Sequence, residues 1–173
     1  KALGDRLVIN DDVFEWDDLP ESVAVFGPGV IGLELGQALH RLGVRVKVFG
    51  RGGGVGPLAD PALLEIARRD FGEEFYLDTD AHADVARDGN EVVVTYRALD
   101  GTSQVERFSY LLAATGRSAN VRNLGLENTS AQLDAWGVPL FDRTTLRCGE
   151  TNIFIAGDAN NDVRQAAAEA LAS

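Results

Sequence analysis

The sequence predicts an α/β protein, a Rossmann-like parallel sheet with a three-stranded antiparallel meander as an insertion. Residues 23–49 run from an apolar stretch through a glycine-rich turn and an amphipathic helix pattern into a second apolar stretch, and this βαβ order is typical of parallel sheets. Residues 83–109 contain short apolar runs separated by Asp-Gly turns, which favour hairpins. The apolar run at 110–115 is typical of a strand buried on both faces.

The individual elements follow from the spacing of apolar residues and from the residues at the turns. The first helix ends before Gly43, since glycine is favoured just after a helix. A second helix begins where Asp60 can cap it and Pro61 can take its first position. The predicted helices are residues 30–42, a segment from Pro61 onward, and the alanine-rich residues 165–171. The predicted strands are residues 23–26, 44–49, 75–77, 83–86, 91–98, 105–109, 110–115 and 152–156.

The composition narrows the class of partner and the compartment. Sixteen Lys and Arg against 27 Asp and Glu give a net charge of −11, which argues against nucleic acid and against an anionic membrane surface as partners. No run approaches the roughly 20 apolar residues of a membrane-spanning helix. Cys148 is the single cysteine, so no internal disulfide can form and a cytoplasmic location is predicted.

The chain is predicted to contain one domain and part of a second. Its 173 residues include no Met, and it opens on Lys1, so we expect it to be a piece of a longer protein. The first 22 residues carry seven acids and two bases and contain turn residues. We interpret residues 1–18 as an acidic connector, 19–117 as the first domain and 118–173 as part of a second domain.

Residues 27–32 read Gly-Pro-Gly-Val-Ile-Gly and match the dinucleotide-binding fingerprint G-x-G-x-x-G. The match has the confirming context, because it lies between a predicted buried strand and a predicted helix. The first glycine permits the tight turn, the second lets the backbone approach a pyrophosphate, and the third allows close helix–sheet packing. The free N–H groups of the helix start would face the anion. The predicted ligands here are Gly27, Gly29, Val30, Ile31 and Gly32. The alternative is a glycine-rich turn without a ligand.

The end of the second predicted strand bears on the choice between NAD and NADP. An acid there hydrogen-bonds the ribose hydroxyls of NAD, whereas an arginine accommodates the 2′-phosphate of NADP. This chain has Gly50 followed by Arg51, so the acid is missing and the local chemistry favours NADPH. A charge-assisted bond from Arg51 to a phosphate contributes roughly 1.5–3 kcal/mol. The alternative is that Arg51 only extends into solvent.

Three ordered motifs resemble those of the pyridine nucleotide–disulfide oxidoreductases, most closely the dihydrolipoamide dehydrogenases. The first motif runs over residues 25–34, with Leu-Gly at 42–43. The second is Ala-Thr-Gly-Arg at 114–117, with Asn120, and the third is Ile-Phe-Ile-Ala-Gly-Asp at 153–158. The resemblance covers nearly the whole chain, from about residue 7 to residue 163.

The resemblance implies a homodimeric parent flavoprotein in which NAD(P) and a redox disulfide exchange electrons through FAD. It implies that 19–117 bind NAD(P) and that 118–173 begin the FAD-contacting central domain, where Asp158 would bond the ribityl chain. Glu34 would border the nicotinamide, Gly116 would lie close to the bound nucleotide, and Ala83 would line the adenine pocket. Asp158 could instead cap a turn, and Glu34 could be an exposed acid favoured near a helix start.

The chain also departs from the family pattern. Position 119 is Ala where the family usually has Pro, and the apolar-His-Glu-Ala stretch expected after the third motif is absent from 162–173. The redox pair Cys-x4-Cys and the His–Glu proton-transfer pair of the family are missing as well. Cys148 cannot replace them, because a lone thiol cannot carry a two-electron disulfide cycle. No catalytic residue is therefore assigned, and we expect this piece alone to be inactive.

The resulting functional hypothesis leaves two alternatives open. The favoured parent is a dihydrolipoamide dehydrogenase-like enzyme that oxidises a dithiol, such as one on a lipoyl domain, through FAD to NAD(P)⁺. The first alternative is a mercuric, glutathione-type or other NADPH-dependent flavoprotein reductase. The second is a non-catalytic nucleotide-binding module. His40, His82 and Cys148 show no metal-ligand spacing, so no metal site is predicted.

Overall fold

The computed structural model describes residues 3–116 and 119–160, except for the side chain of Asp158. The chain divides into two compact units, Lys1–Gly116 and Arg117–Ser173, hereafter unit 1 and unit 2. The helices of unit 1 are α1 (Val30–Arg41) and α2 (Pro61–Glu74). Its strands are β1 (Leu7–Val8), β2 (Ser22–Phe26), β3 (Arg45–Phe49), β4 (Tyr76–Asp78), β5 (Ala83–Asp88), β6 (Glu91–Arg97), β7 (Ser103–Phe108) and β8 (Tyr110–Ala113).

Five strands form a parallel sheet in the order β1-β8-β2-β3-β4. In the register of the sheet, Val25 of β2 lies between Val48 of β3 and Leu112 of β8. All three side chains are fully buried, as expected for parallel strands covered on both faces. The connections through α1 and α2 run from β2 toward β4, whereas β8 and β1 lie on the opposite side of β2. The predicted Rossmann-like sheet is confirmed.

The predicted three-stranded meander is also confirmed. Strands β5, β6 and β7 form a separate antiparallel sheet with register pairs that include Val94 with Val85 and with Glu106. The meander covers one face of the parallel sheet, where Val94 and Phe108 pack in one cluster with Ala24. Val23 and Val25, the neighbours of Ala24 in β2, belong instead to the cluster that includes Leu33 of α1. Side-chain alternation in the strands therefore builds a three-layer unit.

Strand β1 is not among the predicted elements. Residues 1–18 are expected from the sequence to form an acidic connector, but Leu7 and Val8 pair in parallel with β8 and extend the sheet. Val8 is buried, and the ring of Trp16 lies 5.1 Å from that of Tyr110. A few apolar residues among many acids are enough to attach this segment, because burying one Val or Leu side chain contributes about 1.5–3 kcal/mol.

Unit 2 contains no strand or α-helix within residues 119–160. The predicted strand at 152–156 is reduced to one bridge between Phe154 and Arg147. Hydrogen bonds from the Cys148 amide to the Ile153 carbonyl and from the Ile155 amide to the Leu146 carbonyl flank this bridge. The pairing stays short on one side because a turn, closed by a bond from the Thr151 amide to the Cys148 carbonyl, joins the two segments. The buried core of the unit consists of Ala119, Val121, Val138, Cys148 and Ile155. The predicted helix at 165–171 lies outside the described residues.

Across the described residues, no helix is both long enough and apolar enough to cross a membrane.

Candidate functional site

A cavity of about 640 Å³ opens at the carboxyl ends of β2, β3 and β8. Because α1 leads from β2 to β3 on one side, whereas β8 lies on the other side of β2, the strand order reverses here, and open α/β sheets bind ligands at such a switch point. The cavity lies entirely within unit 1, and glycine and small apolar residues dominate its lining. Its walls are residues 26–29, 49–51, 54, 56, 81, 83 and 114–116.

Gly27 makes the tight turn that the sequence predicts. Its φ is +109°, a region that favours glycine, and its amide donates a 2.8 Å hydrogen bond to the carbonyl of Phe49. A Cβ at this position would lie 2.2 Å from the carbonyl oxygen of Ala114. The turn therefore brings the backbone of β2 against that of β8 with no space for a side chain.

Gly29 caps α1 and borders the cavity. Its backbone is extended, and a Cβ built on it would meet no atom within 4 Å. The helical hydrogen bonds of α1 begin with the amide of Leu33, which donates to the Gly29 carbonyl at 3.0 Å. Within the described part of the chain, the preceding amides of Val30, Ile31 and Gly32 have no acceptor. Free amides and the positive end of the helix dipole together suit an anion.

The third fingerprint glycine lies where the start of the helix approaches the ends of β2 and β8. A Cβ on Gly32 would lie 1.9 Å from the carbonyl oxygen of Gly27 and 3.2 Å from the Cβ of Ala114, so this glycine lets the helix approach the turn. Gly36 adds a second close approach of the helix to the sheet, because a Cβ there would lie 3.3 Å from a methyl of Val48. Gly36 is absent from the predicted site; its spacing of four residues from Gly32, on the same helix face, was the available signal.

The loop that follows β3 forms another wall of the cavity. The amide of Gly50 donates to the carbonyl of Asp78 at 2.7 Å, and the amide of Ala81 donates to the Gly50 carbonyl at 2.9 Å. The amide of Gly56 donates to the carbonyl of Pro28 at 2.7 Å, which ties this loop to the fingerprint turn. Gly54, Gly56 and Ala81 line the cavity without having been predicted to do so. The glycine-rich composition of residues 50–57 could have indicated the loop, whereas nothing in the sequence indicated that Ala81 lines the cavity.

Arg51 and Gly116 lie at the cavity, as does Ala83, which the family resemblance places beside adenine. Arg51 is exposed and makes no hydrogen bond or ion pair with any described residue. Among the described residues that line the cavity, Arg51 alone is charged. Gly116 has a φ of +125°, which favours glycine. The structure therefore brings Gly27, Gly29, Arg51 and Gly116 together around one space.

Five other predicted site residues are not among the described residues that line the cavity. Val30, Ile31 and Gly32 directly follow Gly29 at the start of α1. Glu34 is exposed on α1 and does not line the cavity. Asp158 belongs to unit 2, in the short 3-10 turn Gly157–Ala159, and its side chain is outside the description. The roles of these two residues remain predictions.

An aromatic and charged cluster supports Phe49, one of the cavity walls. The rings of Phe49 and Tyr96 meet edge to face at 5.0 Å. Lys47 donates hydrogen bonds to the Tyr96 hydroxyl at 2.6 Å and to Glu106 at 2.5 Å. Burial alone would raise the pKa of Glu106, but the hydrogen bonds from Lys47 and Tyr96 bring it below its ordinary value. Burial, together with the bond to Glu106, raises the pKa of Tyr96.

The remaining candidate residues of the sequence lie outside the cavity lining. Cys148 is fully buried in unit 2, and this burial raises the pKa of its thiol. The ring of His40 packs 5.9 Å from that of Phe75, and His82 is exposed. Within residues 3–116 and 119–160, no group of three or more His, Cys, Asp or Glu side chains could hold a metal ion.

A family model described as "Pyridine nucleotide-disulphide oxidoreductase" matches residues 2–173. The chain belongs to this family. A mercuric reductase of Acidithiobacillus ferrooxidans is 35% identical over 148 residues, which are 84% of this chain and 26% of the reductase. A dihydrolipoyl dehydrogenase of Vibrio parahaemolyticus is 28% identical over 155 residues, which are 88% of this chain and 32% of that enzyme. The chain therefore spans about a third of the length of these family members, or less.

Solved structures agree with the family assignment. LpdA from Mycobacterium tuberculosis superposes with a TM-score of 0.77 at 31% identity, over 97% of this chain and 36% of that one. The flavoprotein disulfide reductase RclA from Escherichia coli superposes with a TM-score of 0.71 over 90% of this chain and 35% of that one. Its identity of 19% makes this second likeness one of fold alone. The predicted membership of the oxidoreductase family is confirmed.

Proposed function

We propose that the cavity of unit 1 binds NAD(P), with the pyrophosphate at the start of α1. The observation that carries this proposal is the row of unpaired amides at Val30, Ile31 and Gly32, beside a Gly29 with open space where a side chain would begin. A diphosphate could accept hydrogen bonds from such amides and approach the backbone closely. Arg51 supplies the positive charge at the cavity and favours the 2′-phosphate of NADPH.

We further propose that the whole protein is an FAD-dependent, dihydrolipoamide dehydrogenase-like oxidoreductase. When bound, FAD supplies two-electron transfer between a dithiol and NAD(P). The residues of unit 1 would anchor and orient the nucleotide, with Glu34 bordering the nicotinamide, and Asp158 of unit 2 would bond the flavin. The family membership and the similarity to dihydrolipoyl dehydrogenases support this role. The domain limits 19–117 and 118–173, a homodimer, a lipoyl-type dithiol partner and a cytoplasmic location are part of the same proposal.

A mercuric reductase-like parent is the second candidate. The 35% identity with the enzyme of Acidithiobacillus ferrooxidans favours it. The nucleotide cavity does not distinguish the two candidates, because no cysteine is among the described residues that line it. Assays of the whole protein with dihydrolipoamide and with Hg²⁺ as alternative substrates would separate them.

The nucleotide site is tested by Gly29→Val. Because a Cβ at position 29 would meet no atom within 4 Å, the fold should lose only about 1 kcal/mol, the usual effect of a poorer helix cap. The affinity for NADPH, measured by calorimetry, should fall at least roughly tenfold, which corresponds to about 1.4 kcal/mol.

Gly72→Val is the matched control. A Cβ at Gly72 would also meet open space, but this residue lies in α2 and does not line the cavity, so NADPH affinity should be unchanged. If Gly29→Val bound NADPH as tightly as the unmodified protein, the pyrophosphate would not lie at the start of α1.

A further inference from the structure

Position 50 is closed to side chains by its neighbours. A Cβ on Gly50 would lie 2.5 Å and 2.8 Å from Cγ and Cδ of Pro28 and 2.8 Å from the carbonyl oxygen of Thr79. The φ of Gly50 lies outside the left-handed region, so the backbone conformation itself would accept other residues. Contact with these two neighbours, and not the backbone torsion, requires glycine here.

The walls around Gly50 are held in place by hydrogen bonds. Pro28 accepts a bond of 2.7 Å at its carbonyl from the amide of Gly56, and the carbonyl of Thr79 accepts one of 2.9 Å from Gly53. The backbone of Gly50 is itself bonded on both sides, to Asp78 and to Ala81. Moving Gly50 away from its neighbours would strain or break these hydrogen bonds.

The exclusion of a side chain at position 50 determines which side chains can reach the part of the cavity next to the end of β3, where the proposed nucleotide would place its adenosine. Position 50 directly follows β3, where an acid in this class of fold hydrogen-bonds the free ribose hydroxyls of NAD. Because no side chain can begin at Gly50, Arg51 is the first side chain after the strand. The nearby carboxylates serve the loop backbone: Asp80 accepts from the amide of Gly52 at 2.8 Å, and Asp78 accepts from the amide of Asp80 at 3.0 Å.

We propose that Pro28 and Thr79 lock position 50 as glycine and that this lock, together with Arg51, makes the cavity select a dinucleotide with a 2′-phosphate. Pro28 is then a specificity-determining residue that acts by exclusion, since its ring keeps a carboxylate away from the ribose. The selection rests on the proposed function of the cavity. The lock itself does not depend on it, because it is a property of the protein without nucleotide.

Unfolding experiments without nucleotide test the lock. Gly50→Ala should lower the urea midpoint of the full chain, because the added methyl overlaps the proline ring. In a Pro28→Ala background, which lacks Cγ and Cδ, the same substitution should lose about half of that effect or less, with Thr79 still in contact. Gly54→Ala is the matched control from the same loop, because its Cβ would meet no atom within 4 Å. Equal losses from Gly50→Ala in both backgrounds would overturn the lock.

Calorimetry with two small probes tests the selection. Adenosine 2′,5′-bisphosphate and 5′-AMP differ only in the 2′-phosphate, and we expect the full chain to bind the bisphosphate at least roughly tenfold more tightly. Arg51→Gln should remove that preference. Arg69→Gln, which deletes an equal charge from an ion pair with Asp70 on α2, should retain it.

The double variant Pro28→Ala/Gly50→Glu introduces the missing acid directly after β3. It should shift the preference toward 5′-AMP by roughly tenfold or more, because the acid can hydrogen-bond the free ribose hydroxyls. Equal binding of the two probes by the unmodified protein would overturn the selection while leaving NAD(P) binding intact. Failure to bind either NADH or NADPH would overturn the proposed function and the selection with it.

Discussion

The two units of the chain bury their large side chains to different extents. In unit 1, Phe49 and Phe108 are almost completely enclosed between the parallel sheet and the meander. In the described part of unit 2, Trp136 is 81% exposed and Phe154 is 63% exposed, and the buried core contains no aromatic residue. The free energy of burial is therefore concentrated in unit 1, where it supports the walls of the cavity.

The hydrogen bonding of the units differs in the same way. Backbone ladders of two sheets join distant segments of unit 1. In the described part of unit 2, acidic side chains organise short turns instead, as when Asp142 accepts from the amides of Thr144 and Thr145. Layered packing can hold a ligand cavity open and in shape, whereas local turns shape only the few residues that they join.

The largest expected difference between the units concerns two phenylalanines. Phe108→Ala should destabilise unit 1 by about 3–5 kcal/mol, because it leaves a cavity in a fully buried cluster. Phe154→Ala in unit 2 should change stability by no more than about 0.5 kcal/mol, since the ring is mostly exposed. Urea unfolding followed by circular dichroism measures the first, and labelling of the buried Cys148 thiol reports on the second. Equal losses of stability from the two substitutions would contradict the difference in burial between the two units.

Two glycines give the next largest contrast. Gly32→Ala should cost about 3 kcal/mol, because its Cβ would lie 1.9 Å from a backbone oxygen, and this outweighs the roughly 1 kcal/mol that alanine gains in a helix. Gly137→Ala in unit 2 should cost only about 1 kcal/mol, because its φ is +82° but its surroundings are open. The midpoints of urea unfolding provide the measurement. A cost at Gly137 as large as that at Gly32 would contradict our account of close backbone contact.

The smallest expected effect is a pH dependence at Glu106. Its folded pKa lies below the ordinary 4.5, so the carboxylate contributes stability above that value and loses it as the pH falls through the folded pKa. Glu106→Gln should therefore cost about 1–2 kcal/mol near neutral pH and progressively less in acid, as free energies of unfolding across that range would show.

Asp142→Asn is the counterpart in unit 2. Hydrogen bonds from Thr145 and Thr144 lower the pKa of Asp142 as well, but this carboxylate is fully exposed, so its variant should show the weaker pH dependence. A cost at Glu106 that did not change with pH would contradict the lowered pKa of its carboxylate in the folded protein.

Sequence reasoning predicted the regular part of unit 1 well. Helix α1 was expected at 30–42 and is observed at Val30–Arg41, and all three strands of the meander were expected within a few residues of their observed ends. These elements carry strong periodic patterns and turn residues with a known preference. The errors lie where the pattern is short: β1 has two residues, and the strand expected at 152–156 is reduced to one bridge.

For the candidate site, sequence reasoning identified the fingerprint glycines but not all of their contacts. The predicted site omitted Gly36, which approaches Val48 of the sheet, and the missing acid at Gly50 was noted without its steric cause. Both points depend on atoms that are distant in sequence, such as the 22 positions that separate Pro28 from Gly50. Spacing along the chain carries no information on such distances.

By itself, the sequence determined the order of strands and helices and the presence of a fingerprint turn, because hydrophobic periodicity and glycine torsions are local properties of the chain. Only the tertiary structure decided that Arg51 lines the cavity and that position 50 admits no side chain. The reason is that steric closure and shared space arise where β3, the fingerprint turn and the segment after β4 meet. Close packing, which acts between residues distant along the chain, set those contacts.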